Sequence, residues 1–275
     1  MPSPSRAALT ALAFVSLLAA FPAAAQQSDQ EWLQNCREQA ERRSRDRALF
    51  CEVRTASMRP TGSLRVDAGV NGGVTVRGGD AAEIQVSSRV QASAPTEQEA
   101  RELARQLSVR VENGTVIATG PETSRGSWWS VSHDIRAPRR QDVSVTARNG
   151  GVTVHDVSGR MTLRTSNGGL SLRRVGGAVN ARTTNGGVNV ELEGSRWNGE
   201  GLDAESTNGG VSVTIPDGYS AQLEVGAVNG RMDLDLPLPD GYRSGRTVRT
   251  QLGSGGAPVR VVTTNGGVRV RRSDR

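Results

Sequence analysis

The motif Asn-Gly-Gly recurs along the chain and constrains its fold more than any other feature. It starts at six asparagines, and a seventh starts the variant Asn-Gly-Arg; the seven are Asn71, Asn149, Asn167, Asn185, Asn208, Asn265 and, for the variant, Asn229. From Asn149 onward the steps between successive asparagines are 18, 18, 23, 21 and 36, and the last is twice 18. A fixed period of this length is typical of repeat architectures, in which each repeat stacks on its neighbours.

Apolar and polar residues alternate on both sides of each motif. Around Asn185 the apolar set includes Val179, Ala181, Val188 and Val190, and the residues between them are polar. Period-two alternation places such a set on one face of a strand. Asn and Gly tolerate the backbone conformations that sharp reversals require. We therefore predict strand–turn–strand units that bury one face.

Two architectures fit these units. Asn-Gly between alternating strands is a strong hairpin signal and would give a long antiparallel meander. The other architecture is a parallel β-solenoid with about 18 residues per coil, in which equivalent residues stack and the asparagines form a ladder. The 18-residue repeat would stack equivalent residues on one another, which favours the solenoid. The predicted fold class is therefore all-β, a parallel β-solenoid with a short N-terminal helix and one inserted helix. The longer steps, which follow Asn185 and Asn208, would be coils with loops bulged out.

The N-terminal part of the chain departs from this pattern. The first 25 residues resemble a secretory signal peptide, because Arg6 precedes an apolar run and alanines occupy positions 23–25. We place the cleavage after Ala25. Residues 29–50 predict a helix, and Thr96 with Glu99 fits a capping box at the start of a second, inserted helix. The predicted divisions are a signal peptide (1–25), a helical cap (26–58) and a β-solenoid domain (59–275).

Cys36 and Cys51 are the only cysteines. An even count in an exported chain predicts a disulfide, which would pin the helical cap.

Glycine is abundant, with 33 residues, and aromatic residues make up 3% of the chain, which indicates narrow strands rather than a bulky enzyme core. The net charge of +6 would attract anionic envelope polymers, but charges of both signs alternate along the chain and indicate a solvated surface.

Four blocks in a fixed order carry a family resemblance: SLRVDAGVNGGVTVRGGDAAEIQV, EQEARELA, VRVENGTVIATG and SVSHDIRAPRRQDVSVTARNGGVTVHDVSGRMTLRTSNGGLSLRRVGG. From about Ser63 to the C-terminus the chain resembles the bacterial toast-rack family, also called the putative-adhesin family, a domain of unknown function. The resemblance implies a parallel β-solenoid with short coils, an envelope or extracellular setting, and a role in adhesion or envelope stress. It brings no catalytic residues.

The sequence contains no pattern for a catalytic, metal or cofactor site. His155, Asp156 and Ser158 are nucleophile-triad residue types, but they are too close in sequence to act as a triad on a turn. The glycine motifs lack the features of phosphate-binding loops. Asp203, Glu205 and Glu224 could form the carboxylate cluster that an enzyme acting on envelope polysaccharide needs, and this enzyme is the alternative function.

Four residues are candidate ligand contacts. Trp128 and Trp129 offer aromatic surface to a sugar ring or a partner, although packing is the plainer interpretation. Arg164 and Arg182 share one column and could bind an anionic glycan. Nucleic-acid binding is not expected, because no basic strip is interleaved with aromatic residues.

The predicted function follows from these absences and from the repeat. We expect a periplasmic or secreted, non-catalytic protein that binds or scaffolds at the cell envelope through the outer faces of the solenoid. An envelope protein or an anionic glycan is the expected partner, and no membrane span follows the signal peptide. Self-association through an unpaired solenoid end is a further expectation.

Overall fold

The computed structural model describes residues 23–43, 47–123, 126–236 and 246–273. Residues 1–22 of the predicted signal peptide therefore lie outside the described residues. In chain order the elements of these residues are α1 (Ala23–Arg43), β1 (Ala48–Met58), β2 (Ser63–Asp67), β3 (Val74–Gly79), β4 (Ile84–Ala94), α2 (Glu97–Gln106), β5 (Ser108–Glu112), β6 (Thr115–Thr119), β7 (Trp128–Pro138), β8 (Asp142–Asn149), β9 (Val152–His155), β10 (Ser158–Asn167), β11 (Leu170–Arg173), β12 (Gly176–Asn185), β13 (Val188–Glu191), β14 (Gly201–Asn208), β15 (Val211–Pro216), β16 (Ala221–Asn229), β17 (Met232–Leu234), β18 (Thr247–Leu252), β19 (Pro258–Asn265) and β20 (Val268–Ser273).

The strands form two ten-stranded sheets. Sheet A has the order β1-β4-β7-β3-β9-β11-β13-β15-β20-β17, and sheet B has the order β18-β16-β19-β14-β12-β10-β8-β2-β6-β5. Most neighbours are parallel, and the antiparallel pairs β1–β4, β4–β7, β5–β6 and β16–β18 lie near the ends of the sheets. The all-β prediction is confirmed, and a meander of antiparallel hairpins is wrong as the main architecture.

Equivalent residues of successive repeats lie side by side. In sheet B, Met161 pairs with Val143 on one side and Val179 on the other, and the offset of 18 residues at each step is also that between the paired corner asparagines. The next step in the sheet is 23 residues long, as between Asn180 and Asp203, and its extra residues form a mostly exposed loop over 193–200. Trp197 anchors that loop, because its side chain is buried and its Nε1 donates to the Gly177 oxygen at 3.0 Å. Most inward residues of both sheets form one apolar core, and a smaller second cluster around Trp129 contains residues of β4, β6, β7 and α2.

Regular spacing suggests that the repeats stack in chain order, with the last repeat at the end of the stack. The last repeat does not lie there. β19 pairs with β14 and with β16, and β20 pairs with β15 and with β17. The C-terminal repeat is therefore inserted between two repeats that precede it in sequence. In the outward column, Arg260 of β19 stands between Asp203 of β14 and Glu224 of β16. Stacking in chain order would place those two carboxylates side by side, which is unfavourable.

The N-terminal helix ends earlier than its sequence predicts. α1 ends at Arg43, and Ala48–Met58 forms β1, so the predicted helix is wrong over residues 48–50. β1 pairs with β4 along its whole length, from Ala48↔Ala94 to Met58↔Ile84, and this long ladder outweighs local helix propensity. β1 is the edge strand of sheet A. The predicted boundary between the helical cap (26–58) and the solenoid domain (59–275) therefore separates this strand from the rest of its sheet.

α1 lies against the outer face of β1 and β4. A disulfide joins Cys36 of α1 to Cys51 of β1. The buried carboxylate of Asp29 accepts hydrogen bonds from Ser87 Oγ at 2.7 Å and from Arg89 Nε at 3.1 Å. The helix therefore covers the N-terminal part of the outer face of sheet A.

α2 has the predicted capping box. Thr96 Oγ1 accepts from the Glu99 amide at 3.2 Å, and Glu99 Oε2 accepts from the Thr96 amide at 3.1 Å. At the other end of the helix, Arg54 of β1 donates to the backbone oxygens of Ala104 and Leu107 at 2.8 and 2.6 Å. These bonds satisfy helix-terminal carbonyls and fix α2 to the sheet.

Candidate functional site

The asparagines of the repeated turns form one row along a corner between the sheets. In spatial order the row is Asn71, Asn149, Asn167, Asn185, Asn208, Asn265 and Asn229. Each side-chain nitrogen, from Asn149 onward, donates to the amide oxygen of the preceding asparagine at 2.8 to 3.0 Å. The ladder passes through the inserted C-terminal repeat without a break. It pairs polar groups at a corner where regular strand geometry stops.

The two glycines after each asparagine have different environments. A Cβ at Gly186 would lie less than 3.0 Å from three backbone atoms of Gly168 and Gly169. A Cβ at Gly187 would lie 3.1 Å from the Gly210 oxygen, with no other atom within 4 Å. The spacing of the repeats therefore requires the first glycine, whereas the second has room for a methyl group after a small shift.

The second glycines form the floor of an open groove on the outer face of sheet A. They are exposed in five successive repeats, at Gly151, Gly169, Gly187, Gly210 and Gly267. Small polar residues two positions further along each strand also line the groove, at Thr153, Ser171, Asn189 and Ser212. The groove has a volume of about 980 Å³. We call these two rows of residues the glycine trough.

One end of the glycine trough is charged. Arg231 occupies the second-glycine position of the variant motif, and Arg269 and Asp233 line the groove beside it. Arg269 Nε lies 3.6 Å from Asp233 Oδ2, whereas Arg231 has no carboxylate within 4.0 Å among the residues that the structure describes. The trough thus offers hydroxyl and amide groups along most of its length and guanidinium groups at one end.

The candidate carboxylate cluster is neutralised by arginines. Asp203 accepts from Arg182 at 2.8 Å and from Arg260 at 2.6 Å, and Glu205 is also bonded to Arg182. Glu224 pairs with Arg249 at 2.9 Å and with Arg260 at 3.6 Å. A catalytic carboxylate needs access to its substrate, and each of these three carboxylates is in contact with a guanidinium. Within the described ranges, no group of three or more His, Cys, Asp or Glu residues is placed to hold a metal ion.

The four candidate ligand contacts lie in three different settings. Trp129 is 6% exposed, and its Nε1 donates to the Pro121 oxygen at 3.0 Å, so its indole packs inside the fold. Trp128, its neighbour in β7, points to the opposite face and is half-buried. Arg164 and Arg182 are register partners on the outer face of sheet B, where they line a second groove of about 400 Å³.

The histidines do not form an accessible catalytic centre. His133 Nδ1 lies 2.9 Å from Ser88 Oγ, but both side chains are buried in the core, at 2% and 1% exposed. Burial lowers the pKa of His133 to about 4. His155 is half-buried, and its pKa is lowered, first by burial and then by nearby arginines. Asp156 beside it binds Arg174, whose hydrogen bond holds the pKa of that carboxyl below its usual value.

The geometry defines a class of protein: a repeat-built, two-sheet β protein with a ladder of asparagines at one corner and an open outer face. A family model described as Toastrack DUF4097 matches residues 123–271, which is more than half of the chain. The chain therefore belongs to the Toastrack DUF4097 family, and the resemblance noted in its sequence motifs is confirmed.

The solved structures that match the chain share little sequence with it. A "putative cell adhesion protein" from Clostridium sporogenes is 10% identical with a TM-score of 0.47, and the match covers 82% of this chain and 100% of that one. A "putative adhesin" from Bacteroides fragilis is 12% identical with a TM-score of 0.28, covering 81% and 97%. A "putative lipid binding protein" from Parabacteroides distasonis is 10% identical with a TM-score of 0.31, covering 81% and 97%. No curated protein matches.

Both described helices are rich in polar and charged residues. Among the described residues, no helix combines the length and the apolar character needed to cross a bilayer.

The glycine trough was missed by reasoning from sequence, although its signal is present there. A tight turn needs one glycine after the asparagine, and six of the seven motifs keep two. The surplus glycine falls in the outward column of the following strand, where strands usually carry a side chain. A row of such positions predicts a depression in the sheet surface.

Proposed function

We propose that the protein is an exported, non-catalytic binding protein of the cell envelope, built as a parallel β-solenoid with about 18 residues per coil. The offset of 18 residues between paired asparagines, shared by Val143, Met161 and Val179, supports that coil length. The Cys36–Cys51 disulfide supports an oxidising compartment outside the cytoplasm. Residues 1–25 act as the signal peptide, residues 26–58 pin the first strands, and residues 59–275 form the solenoid.

The observation that carries the proposal is the glycine trough. It crosses six strands, β9, β11, β13, β15, β20 and β17, and adjacent strands are about 4.8 Å apart, so it is roughly 24 Å long. A groove of this length, with a shallow glycine floor and a repeated column of hydroxyl and amide groups, suits a linear glycan in an extended conformation. Arg231 at one end of the trough favours a glycan that carries acidic groups. On the other sheet Arg164 could add to this attraction, whereas Arg182 is bonded to Asp203 and Glu205 and would have to exchange these partners for the ligand.

Adhesin-like binding then means that the ligand is held and not cleaved. The residues of the trough include no pair of carboxylates, because Asp233 is its single acidic side chain among the described residues. The enzyme alternative would use Asp203, Glu205 and Glu224 on sheet B, and this requires their arginine partners to leave the site when substrate binds.

A pair of variants separates these functions. Ser171→Tyr places a ring inside the glycine trough, on the second of its six strands, and Thr162→Tyr places the same ring on the outer face of sheet B in the same repeat. We expect Ser171→Tyr to weaken binding to soluble acidic envelope glycans at least tenfold and Thr162→Tyr to leave it unchanged, as measured by glycan array and calorimetry. Equal binding by native protein and Ser171→Tyr would refute the role of the trough.

The same samples test the enzyme alternative. Incubation with the glycan and an assay for new reducing ends should give no signal above a blank. Reducing ends that disappear in a Glu205→Gln variant would establish the enzyme instead. For export, mass spectrometry of protein recovered outside the cytoplasm should give a chain that begins at Gln26 with both cysteines oxidised.

A further inference from the structure

The inserted C-terminal repeat occupies a slot that the rest of the chain forms. We use "insert" for residues 258–273, which contain β19, the Asn265 corner and β20. β14 and β15 form one wall of the slot, and β16 and β17 form the other. The Asn208 and Asn229 side chains on the two walls are joined only through Asn265 of the insert, by hydrogen bonds of 2.8 Å on each side.

The slot and the insert have complementary charges. On sheet B, Arg260 binds Asp203 of one wall at 2.6 Å and lies 3.6 Å from Glu224 of the other. On sheet A, Arg271 lies 2.9 Å from Asp233. Arg272 lies 3.3 Å from Asp235, just beyond β17. The walls thus supply carboxylates, and the insert supplies guanidinium groups to both sheets.

The walls could also close on each other, because their inward residues and their asparagines follow the same pattern as every other repeat. That arrangement would bring Asp203 beside Glu224, and like charges directly opposite each other are destabilising. Carboxylate repulsion therefore disfavours the closed arrangement and favours a slot that accepts an arginine-bearing strand pair.

The insert is connected to the preceding strand by a glycine loop. Residues 253–257, GSGGA, join β18 to β19, and Gly253, Gly255 and Gly256 have φ values of 50°, 79° and 135°. β18 and β19 lie on opposite sides of β16, so this loop crosses over the end of one strand. It is the single connection that decides which slot a given insert can reach.

We propose that the slot is an interface for a second copy of this chain, in which two chains exchange their inserts and form a closed dimer. Every contact between insert and walls is the same in the exchanged dimer, so only the loop and the concentration of chains decide between the two forms. The partner is another copy and not an unrelated strand, because a segment that fits the slot must carry both the arginine columns and the Asn-Gly-Gly corner.

Cysteine pairing in full-length chains tests the exchange. Ser212 of β15 and Arg269 of β20 are register partners on the outer face of sheet A, and the native cysteines are already paired. A Ser212→Cys chain and an Arg269→Cys chain, unfolded and refolded together with Cys36–Cys51 intact, should form a disulfide-linked heterodimer whose yield rises with concentration. The matched control, Ser171→Cys with Asn189→Cys, pairs strands that are not exchanged and should give no heterodimer above background.

A double variant keeps the test decisive. Ser212→Cys/Arg269→Cys in one chain should form the link within that chain at low concentration, which shows that the pair can react. If the double variant links and the mixed single variants give no more heterodimer than the control at any concentration, the exchange is refuted.

A shorter loop gives a second, independent measurement. Deletion of Gly255 and Gly256 leaves Gly253, Ser254 and Ala257 to pass over β16, which strains insertion within one chain but not between two extended chains. We expect the dimer fraction in light scattering to rise at least tenfold relative to the native loop. A deletion variant that folds and stays monomeric would overturn the proposal, and one that does not fold would leave the cysteine result to decide.

Discussion

Two neighbouring glycines in one motif should differ sharply in their tolerance of a methyl group. Gly186→Ala places a Cβ less than 3.0 Å from backbone atoms of Gly168 and Gly169, and backbone atoms cannot rotate away as a side-chain tip can. Gly187→Ala places its Cβ 3.1 Å from one oxygen, that of Gly210. The first change must push two repeats apart, and the second needs a shift of a few tenths of an ångström.

The bonds at this corner set the magnitude. Separation of these two repeats weakens four hydrogen bonds that cross the boundary between them: Gly168 N→Asn185 O and Leu170 N→Gly187 O, both 2.9 Å, Thr183 Oγ1→Gly168 O at 2.7 Å, and Asn185 Nδ2→Asn167 Oδ1 at 2.8 Å. At about 1 kcal/mol net for each bond, Gly186→Ala should lower the free energy of unfolding by about 4 kcal/mol. Gly187→Ala should change it by less than about 1 kcal/mol, because reduced freedom of the unfolded chain offsets the small strain.

Urea unfolding followed by circular dichroism measures both values, with the disulfide intact and a common slope for all proteins. Gly169→Ala and Gly168→Ala repeat the comparison one repeat away and control for position. Equal losses of stability for Gly186→Ala and Gly187→Ala would show that the corner is not held by backbone contact. It would also remove the reason for treating the second glycine as surplus to the fold.

Three further changes test other parts of the structure. Reduction of Cys36–Cys51, which are separated by 15 residues, should cost about 3 kcal/mol and expose the amides of α1 and β1 to hydrogen exchange, whereas protection in β10 to β15 should stay unchanged. The pKa of His133 is lowered to about 4 from 6.5, so the unfolded chain binds the proton more tightly; stability should be complete above pH 6.5 and fall by up to about 3 kcal/mol as the pH drops to 4. In a His133→Gln variant the urea midpoint should change less with pH between 4 and 6.5. The same pH dependence in the variant and the native protein would contradict burial of the neutral ring. Arg260→Ala should lower stability by about 1 to 2 kcal/mol, and concentrated salt should reduce the loss because it screens Asp203 from Glu224; Arg164→Ala, in the same sheet and without an ion pair in the described residues, should lose less than about 0.5 kcal/mol.

Local features of the fold could be predicted from the sequence. The spacing of the asparagines and the alternation around them indicate the turn positions and the buried columns, because both depend on residues close together in the chain. Thr96 and Glu99 indicate the start of α2 for the same reason. The glycine trough could also have been predicted, by assigning the second glycine of each motif to the outward face of the strand that follows it.

Long-range pairing could not be predicted in the same way. β1 follows an arginine-rich segment, and its strand conformation depends on partners in β4 that are distant in sequence, from Ile84 to Ala94. The surroundings of Trp129 and of the candidate carboxylates could not be predicted for a related reason. Their surroundings are set by strands distant in sequence, which place the indole in the core and an arginine beside each acid.

The order of the repeats is the most informative of these long-range features. The repeats share the asparagine corner and an apolar inward column, so the core and the asparagine ladder do not by themselves favour one order of stacking. The outward columns differ more from repeat to repeat, and there Arg260 is complementary to Asp203 and Glu224, while those two repel each other. A repeated inward pattern thus determines that the chain stacks, and the outward charges determine which repeat lies beside which. For this reason the order of a repeat protein with this corner is to be sought in charges on its solvent face and not in its core.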